Sequence, residues 1–289
     1  MSFKEKYTDI FNIVRDEVSL VKKQLTDIFT DNSRGFEEDI IKFLNLPSKH
    51  IRAVIALLYL KACGYEVNEL QVKLQTVIEI IHNASLIHDD IIDESLQRRG
   101  EKSFKANFGN HLSVIAGDLI LAKALDILAE LGSKELQLLI SRTITNMCKG
   151  EISQEFSKFK IPAIDEYIEK TYQKTGALFE AAISGVELIA IGKISQSTKD
   201  FAQDFGIAFQ IRDDILNITE KQNDSDIKNG IYTAPVIYSE TTEVSDIGIE
   251  KAKGLLNNYV CKAKENIQQL KESEYKTAII KLLELINYE

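Results

Sequence analysis

The chain has 289 residues, of which 44% are hydrophobic, and it contains only three prolines and fourteen glycines. So few turn-forming residues exclude a fold of many short strands and favour long helices. The formal net charge of −9, with no basic stripe between aromatic residues, excludes a typical nucleic-acid-binding protein. Three widely spaced cysteines form no C-x-x-C pair, which excludes a disulfide framework and a cysteine zinc site and indicates the reducing cytosol.

Helical periodicity recurs along the chain, and no linker rich in proline, glycine or serine interrupts it. The predicted helices are 3–30, 36–45, 50–63, 68–93, 111–131, 134–158, 165–192, 198–219 and 246–287. The charged N-terminal segment is typical of an amphipathic helix rather than a signal peptide. The longest uncharged apolar run, Ala53 to Leu60, is too short to span a bilayer. We expect a soluble, cytoplasmic, all-α protein with one domain over residues 1–289.

The predicted helix 68–93 ends on a cluster of acidic residues, His88-Asp89-Asp90-Ile91-Ile92-Asp93. Asp89 and Asp93 lie one turn apart on one helix face, with Cβ atoms roughly 5–6 Å apart. Like charges so placed disfavour the helix unless a cation neutralises them. The pair suits Mg²⁺, which takes water and diphosphate oxygens as its other ligands. Taken alone, the cluster is more often a solvated acidic helix end.

A second acidic cluster lies in the predicted helix 198–219, between Phe209 and Asn217. Asp213 and Asp214 are flanked there by apolar residues, and acidic pairs in apolar surroundings are costly without a partner. Two such clusters make a merely solvated surface a poor explanation for both. Two helices of a bundle could present opposing carboxylates to one metal–diphosphate cluster in its core.

Three motifs resemble those of the trans-isoprenyl diphosphate synthase (polyprenyl synthetase) family, most closely its long-chain polyprenyl diphosphate synthases. They are Ser85-Leu-Ile-His-Asp-Asp-x-x-Asp93, then Arg98-Arg99-Gly100, and later Phe209-Gln-x-x-Asp-Asp214. The resemblance covers nearly the whole chain. It implies the isoprenoid synthase type I fold, in which long helices surround a central cavity, and a homodimer or heterodimer. It also implies a Mg²⁺-dependent enzyme that condenses isopentenyl diphosphate with allylic diphosphates in the trans configuration.

The resemblance also implies roles for individual residues. The expected metal ligands are Asp89, Asp93 and Asp213, with Asp90 and Asp214 orienting metal-bound waters. The expected contacts to isopentenyl diphosphate are Lys49, Arg52, His82 and Arg99, while Arg98 would contact the allylic diphosphate. The expected catalytic residues, which touch the allylic diphosphate and the developing cation, are Lys174, Thr175 and Gln210.

Several positions depart from the family pattern. Pro47 and Ser48 replace two glycines before Lys49, and His50 replaces an arginine. Asn217 replaces the last aspartate of the second motif, and Ile231 stands where many members carry a lysine that binds diphosphate. The allylic site is therefore expected to have one cation fewer than in those members.

Product length is expected to depend on Ala84 and Ser85, one turn before Asp89. Farnesyl-forming members carry an aromatic residue there that blocks the tunnel for the growing chain. The small pair predicts a tunnel that stays open beyond the farnesyl stage, with a wall from Val114 to Leu128 that has no aromatic plug. We expect hexaprenyl or longer products, with geranylgeranyl as the alternative, and transient membrane contact for release of the lipid. Alternatively, Ala84 and Ser85 are small only because two helices pack closely at this point.

The same residues argue against three other functions. A class I terpene cyclase needs no second diphosphate site, so Lys49, Arg52, His82 and Arg99 argue against it. A regulatory subunit of a heteromeric synthase typically loses the first acidic motif, which is intact here. A purely structural helical protein would have no need for both acidic motifs.

Overall fold

The computed structural model describes residues 3–29, 35–219 and 225–287, and residue 30 of the first predicted helix lies outside them. The all-α prediction is confirmed, with a two-stranded hairpin as the only sheet in this part of the chain. The first half contains α1 Phe3–Asn12, α2 Arg15–Asp27, α3 Phe36–Leu44, α4 Ile51–Ala62, α5 Glu69–Ile92, β1 Gln97–Arg98, β2 Glu101–Lys102 and α6 Phe104–Glu130. The second half contains α7 Lys134–Phe156, α8 Ile164–Thr171, a π-helical turn Tyr172–Gly176, α9 Ala177–Ile191, α10 Gln196–Thr219, α11 Ser225–Lys228, α12 Ala234–Ser239, α13 Asp246–Asn266 and α14 Glu274–Ile286.

Several predicted boundaries differ from those of the structure. The predicted helix 3–30 is interrupted between α1 and α2, and the predicted helix 246–287 is divided into α13 and α14. Ser273 begins α14 because its hydroxyl accepts a hydrogen bond from the Lys276 amide, 3.2 Å away. The helix predicted from residue 111 begins already at Phe104, and Gly109 kinks it with φ of 75°. The short helices α11 and α12 were not predicted, because fewer than two turns show no periodicity.

Helix α4 forms the centre of the core. Its residues Ala53 to Leu60 are each no more than 1% exposed, as expected for a helix that is apolar on every side. It packs against α5, α9 and α14. Near its C-terminal end, Tyr59 stacks on Phe201 of α10 with ring centroids 4.9 Å apart. No helix in the described ranges is long and apolar enough to cross a membrane.

Helix α5 carries the first acidic cluster to one end of this core. A capping box fixes its start, since the Asn68 side chain accepts from the Leu70 amide at 2.8 Å and Gln71 accepts from the Asn68 amide at 2.9 Å. Most of the 24 residues that follow are buried against the neighbouring helices. The long buried helix therefore places Asp89 and Asp93 at its C-terminal end with little freedom of movement.

Helix α10 approaches the π-helical turn closely at a pair of glycines. A Cβ atom on Gly206 would lie 2.7 Å from the Cα atom of Gly176, far inside van der Waals contact. Because neither residue has a side chain, the backbones can cross here, one turn before Gln210 on α10 and next to Thr175. This crossing sets the spacing between the two elements that carry these residues.

Gly206→Ala should therefore destabilise the protein by about 1–3 kcal/mol, the usual cost of overpacking. It should also lower kcat, because moving α10 away from the π-helical turn would separate the side chains of Gln210 and Thr175. Gly254→Ala on α13 is the matched control, because a Cβ atom there meets nothing within 4 Å. Denaturant unfolding and kcat of both variants test this. Equal stability of the two variants would contradict the close crossing.

Candidate active site

A cavity of about 550 Å³ lies at the end of the bundle where α5 and α10 carry their acidic clusters. Residues from many parts of the chain meet in its wall. The predicted site residues that line it are Lys49, Arg52, His82, Ser85, Asp89, Asp93, Arg99, Lys174, Thr175, Gln210 and Asp213. Asp214 lines it as well, whereas the predicted residues Ala84, Asp90 and Arg98 do not. The helical bundle thus brings together most of the residues that the sequence singled out.

The carboxylates of Asp89 and Asp93 lie where their charged forms are destabilised. Burial raises the pKa of Asp89 to about 7, with Lys174 opposing the shift and Glu151 and Asp93 adding to it. Desolvation also raises the pKa of Asp93 at the cavity mouth. Crowded, desolvated carboxylates of this kind are stabilised in their charged form by a cation.

The carboxylates of Asp89, Asp93 and Asp213 could bind a hard divalent cation together with the oxygens of a substrate. Asp89 and Asp93 lie on α5, while Asp213 lies on α10 across the same cavity. Within residues 3–29, 35–219 and 225–287, no three His, Cys, Asp or Glu side chains are close enough to hold an ion by themselves. The donors are oxygen atoms only, as Mg²⁺ prefers, and oxygens of a bound diphosphate would complete the coordination.

The two consecutive arginines occupy a tight hairpin that separates their side chains. Arg99 and Gly100 form the loop between β1 and β2, with φ of 53° and 85°, as two-residue hairpin loops require. Arg99 lines the cavity, whereas Arg98 donates from Nε and Nη2 to Asp90 Oδ1 at 3.0 and 2.5 Å. Asp90 is completely buried and holds Arg98 in place. It does not face the cavity, so the prediction that Asp90 orients metal-bound water is wrong.

A cationic corner of the cavity surrounds the buried carboxylate of Glu79. His50 Nδ1 lies 2.8 Å from Glu79 Oε2. Arg52 lies over the Phe179 ring at 4.8 Å, and burial lowers its pKa to about 10, with Glu79 opposing the shift. Burial, followed by the charges of Arg52 and Arg99, holds the pKa of His82 well below its usual value. His82 is therefore a neutral hydrogen-bonding group at neutral pH.

Sequence reasoning missed two residues that hold this corner. Glu79 is a lone acid in the apolar run before His82, and this isolation is the signal that could have identified it. Tyr7 of α1 donates its hydroxyl to the Lys49 carbonyl at 2.6 Å. No local pattern identifies Tyr7, because its contact lies 42 residues away in the chain.

The π-helical turn and α10 are joined by a chain of hydrogen bonds. Thr175 Oγ1 donates to Gln210 Oε1 at 2.8 Å, and Gln210 Nε2 donates to Asp214 Oδ1 at 2.8 Å. Tyr167 donates to the other oxygen of Asp214 at 2.6 Å, and burial raises the Asp214 pKa to about 7. Asp214 therefore fixes the orientation of the Gln210 amide. π-Helical turns of this kind often occur at functional sites.

An apolar side cavity of about 230 Å³ opens from the main one. The two share Ser85, Asp89, Met147 and Lys174 in their walls. Ala84 lines only the side cavity, and Leu121 and Ile144 lie further along its wall. Among the described residues that line it there is no phenylalanine or tyrosine. An apolar chain that starts at the carboxylates would thus have a path between α5, α6 and α7.

The cavity and its motifs correspond to a known family. The polyprenyl synthetase family model matches residues 35–276, which include every residue that lines the main cavity. The chain belongs to the polyprenyl synthetase family. Like other polyprenyl synthetases, it is a prenyltransferase, so the family and the enzyme class predicted from the motifs are confirmed.

Individual relatives agree with this assignment. A prenyl transferase of Cyanidium caldarium is 35% identical over 239 residues, which cover 79% of this polyprenyl synthetase and 74% of that protein. A decaprenyl-diphosphate synthase of Dictyostelium discoideum is 29% identical over 330 residues, covering 98% of this chain and 72% of that one. A polyprenyl synthase of Caulobacter crescentus CB15, solved with calcium and isoprenyl diphosphate, has the same fold with a TM-score of 0.86, 21% identity and 98% of each chain covered.

Proposed function

We propose that this polyprenyl synthetase is a Mg²⁺-dependent trans-prenyltransferase that adds isopentenyl diphosphate to allylic diphosphates and makes products longer than geranylgeranyl diphosphate. One observation carries the proposal. The carboxylates and the cationic corner share one polar cavity, and an apolar side cavity without a phenylalanine or tyrosine opens beside the carboxylates. Two diphosphates and one growing apolar chain are the ligands that suit such an arrangement.

The residues around the carboxylates fit the ionisation of an allylic diphosphate. Asp89, Asp93 and Asp213 would hold Mg²⁺, which neutralises the charge of the leaving diphosphate when bound. Lys174, which forms an ion pair with Glu151, adds a cation to the same wall. The oxygens of Thr175 and Gln210 lie beside it and would stabilise the allylic cation electrostatically. The departing diphosphate can accept the proton lost after condensation, so no side chain is needed as base.

The cationic corner fits isopentenyl diphosphate. Lys49, Arg52 and Arg99 supply charge there, and neutral His82 supplies a hydrogen bond. Glu79 holds His50 and offsets the repulsion between the arginines. Arg98 is held by Asp90 and does not line the main cavity, so its contact with the allylic diphosphate is proposed on the motif alone.

Arg99→Ala should raise the KM for isopentenyl diphosphate about tenfold or more and leave the KM for the allylic primer nearly unchanged. A hydrogen bond to a charged group typically contributes about 1.5–3 kcal/mol, enough for this effect. Arg98→Ala in an Asp90→Asn background is the matched variant, because it leaves no unpaired buried carboxylate, and it should affect the allylic primer more. Steady-state kinetics with each substrate varied in turn measures both effects. Equal effects of both variants on both substrates would contradict this division of the site.

We also propose that residues 1–289 form one domain and that the enzyme is a cytoplasmic homodimer. Helix α6 supports the second point, because its large apolar residues Leu112, Val114, Ile115 and Leu125 are 40% exposed or more. Large apolar side chains exposed along one helix commonly mark a protein interface. A heterodimer would use the same helix. Light scattering of the purified chain distinguishes the two states, because only a homodimer would form without a second protein. Transient membrane contact would serve release of a long lipid product.

The direct test is an assay of the purified chain with Mg²⁺, isopentenyl diphosphate and each of the geranyl, farnesyl and geranylgeranyl primers. We expect elongation of every primer to products beyond twenty carbons, and none after chelation of the metal. A product that stops at geranylgeranyl diphosphate would overturn the proposed length. Absence of condensation with all primers would overturn the proposed reaction.

A further inference from the structure

Lys170 is a lysine in the wall of the main cavity that none of the motifs includes. It lies on α8 four residues before Lys174, and it is half-buried between the main cavity and a smaller outer one. In the described ranges, its ammonium group forms no hydrogen bond and no ion pair. Lysine side chains are usually exposed or paired, so a half-buried ammonium without a partner among the described residues needs an explanation.

Two of the carboxylates whose charges act on Lys170, those of Asp214 and Glu151, are already engaged by other groups. Burial is the main cause of a lowered Lys170 pKa, opposed by Asp214, Glu151 and Asp226 and reinforced by Lys174. Asp214 already accepts hydrogen bonds from Tyr167 and Gln210 on its two oxygens. Glu151 is already paired with Lys174. Lys170 and Lys174 both line the main cavity, and the charge of Lys174 contributes to the lowered Lys170 pKa, so an anion bound there would be favoured by both lysines.

The geometry of the pair matches a diphosphate. Lys170 lies on α8 and Lys174 lies four residues later in the π-helical turn, and both side chains line the main cavity. Two flexible ammonium groups so placed can each contact a different phosphoryl group. Ile231 lines the same cavity and offers no charge, so the two lysines would be needed for an anion held near Asp213.

We propose that Lys170 is a second cationic contact to the allylic diphosphate and binds it together with Lys174. The proposal rests on the proposed function, because it assigns Lys170 to one of that reaction's two substrates. Lys170 remains a binding residue rather than a catalytic one. Its removal should therefore weaken the allylic substrate selectively.

Lys170→Met tests the proposal, because methionine keeps most of the apolar stem and removes the charge. The matched control is Lys149→Met, an exposed lysine that lines the outer cavity with Lys170 but not the main one. Calorimetric titration with farnesyl diphosphate and Mg²⁺, without isopentenyl diphosphate, gives the Kd directly. We expect a rise of about tenfold for Lys170→Met, as for loss of a charged hydrogen bond, and less than about twofold for Lys149→Met. The KM for isopentenyl diphosphate should change less than about twofold in both.

Three results would overturn this assignment. They are an unchanged Kd in Lys170→Met, an equal loss in the Lys149→Met control, and an equal rise in the KM for isopentenyl diphosphate. A lower melting temperature with an unchanged Kd would show that Lys170 only stabilises the carboxylates around it. Failure of the wild-type chain to condense the two substrates would overturn the proposed function instead. In that case a selective loss of diphosphate binding in Lys170→Met would still support the contact.

Discussion

Asp89→Asn and Asp213→Asn should each lower kcat by about 10²–10³-fold, the usual effect of losing an electrostatic contact to the transition state. The two carboxylates stand on opposite walls of the cavity, and no three acidic or histidine side chains of the described residues can hold an ion alone. Each carboxylate is therefore indispensable for binding the metal–diphosphate unit. Asparagine has nearly the same shape as aspartate, so the fold should be unaffected. Turnover, melting temperature and Mg²⁺ dependence of kcat measure the effect.

Asp118→Asn is the control for this prediction. Asp118 lies on α6, its side chain is 68% exposed, and its Oδ1 lies 3.5 Å from His88 Nε2. The control loses a carboxylate at the same end of α5 without touching the main cavity, so its kcat should remain close to that of the wild type. Near-normal turnover of Asp89→Asn or Asp213→Asn would contradict the assignment of the metal ligands.

Ala84→Phe should shorten the product sharply and leave the first condensation intact. Ala84 is 3% exposed and lines the side cavity of about 230 Å³, so a phenyl ring would fill the path of the growing chain. It does not line the main cavity, where the two diphosphates would bind. Chromatography of the products formed from each primer measures the effect.

Ser85→Ala is the matched control, because it changes the neighbouring residue without adding volume. Its products should have the wild-type length. A wild-type product of only fifteen carbons, or an Ala84→Phe variant with unchanged products, would show that Ala84 serves helix packing rather than product length.

The long central helices could be predicted from the sequence because each buries an apolar stripe that is visible within its own residues. The predicted helices 68–93 and 198–219 agree with α5 and α10 to within two residues at either end. Breaks between helices were harder to predict. A π-helical turn interrupts the predicted helix 165–192 at Tyr172–Gly176 without proline as a signal. The break is instead associated with the close approach of α10 at Gly206, which is a tertiary contact.

In the candidate site, too, local features could be predicted from the sequence and tertiary contacts could not. Acidic clusters and adjacent arginines are local in the sequence, so a reader of the sequence alone can assign them to metal and diphosphate chemistry. Their partners are distant in the chain. The Asp90 contact that holds Arg98 could not be predicted from residue type, since Asp89, Asp90 and Asp93 look equivalent until α5 is packed. Glu79 and Tyr7 likewise acquire their roles only through contacts with residues far along the chain.

The sequence by itself determined the helical class, the two acidic clusters and the family, because periodicity and motif spacing are properties of neighbouring residues. Tertiary structure alone decided which charged groups face the cavity. Burial raises the Asp89 pKa, the hairpin directs Arg99 inward while Asp90 retains Arg98, and Lys170 is left half-buried beside Lys174. These outcomes depend on desolvation and on the direction of side chains across packed helices, which are set by residues that are remote in sequence and adjacent in space.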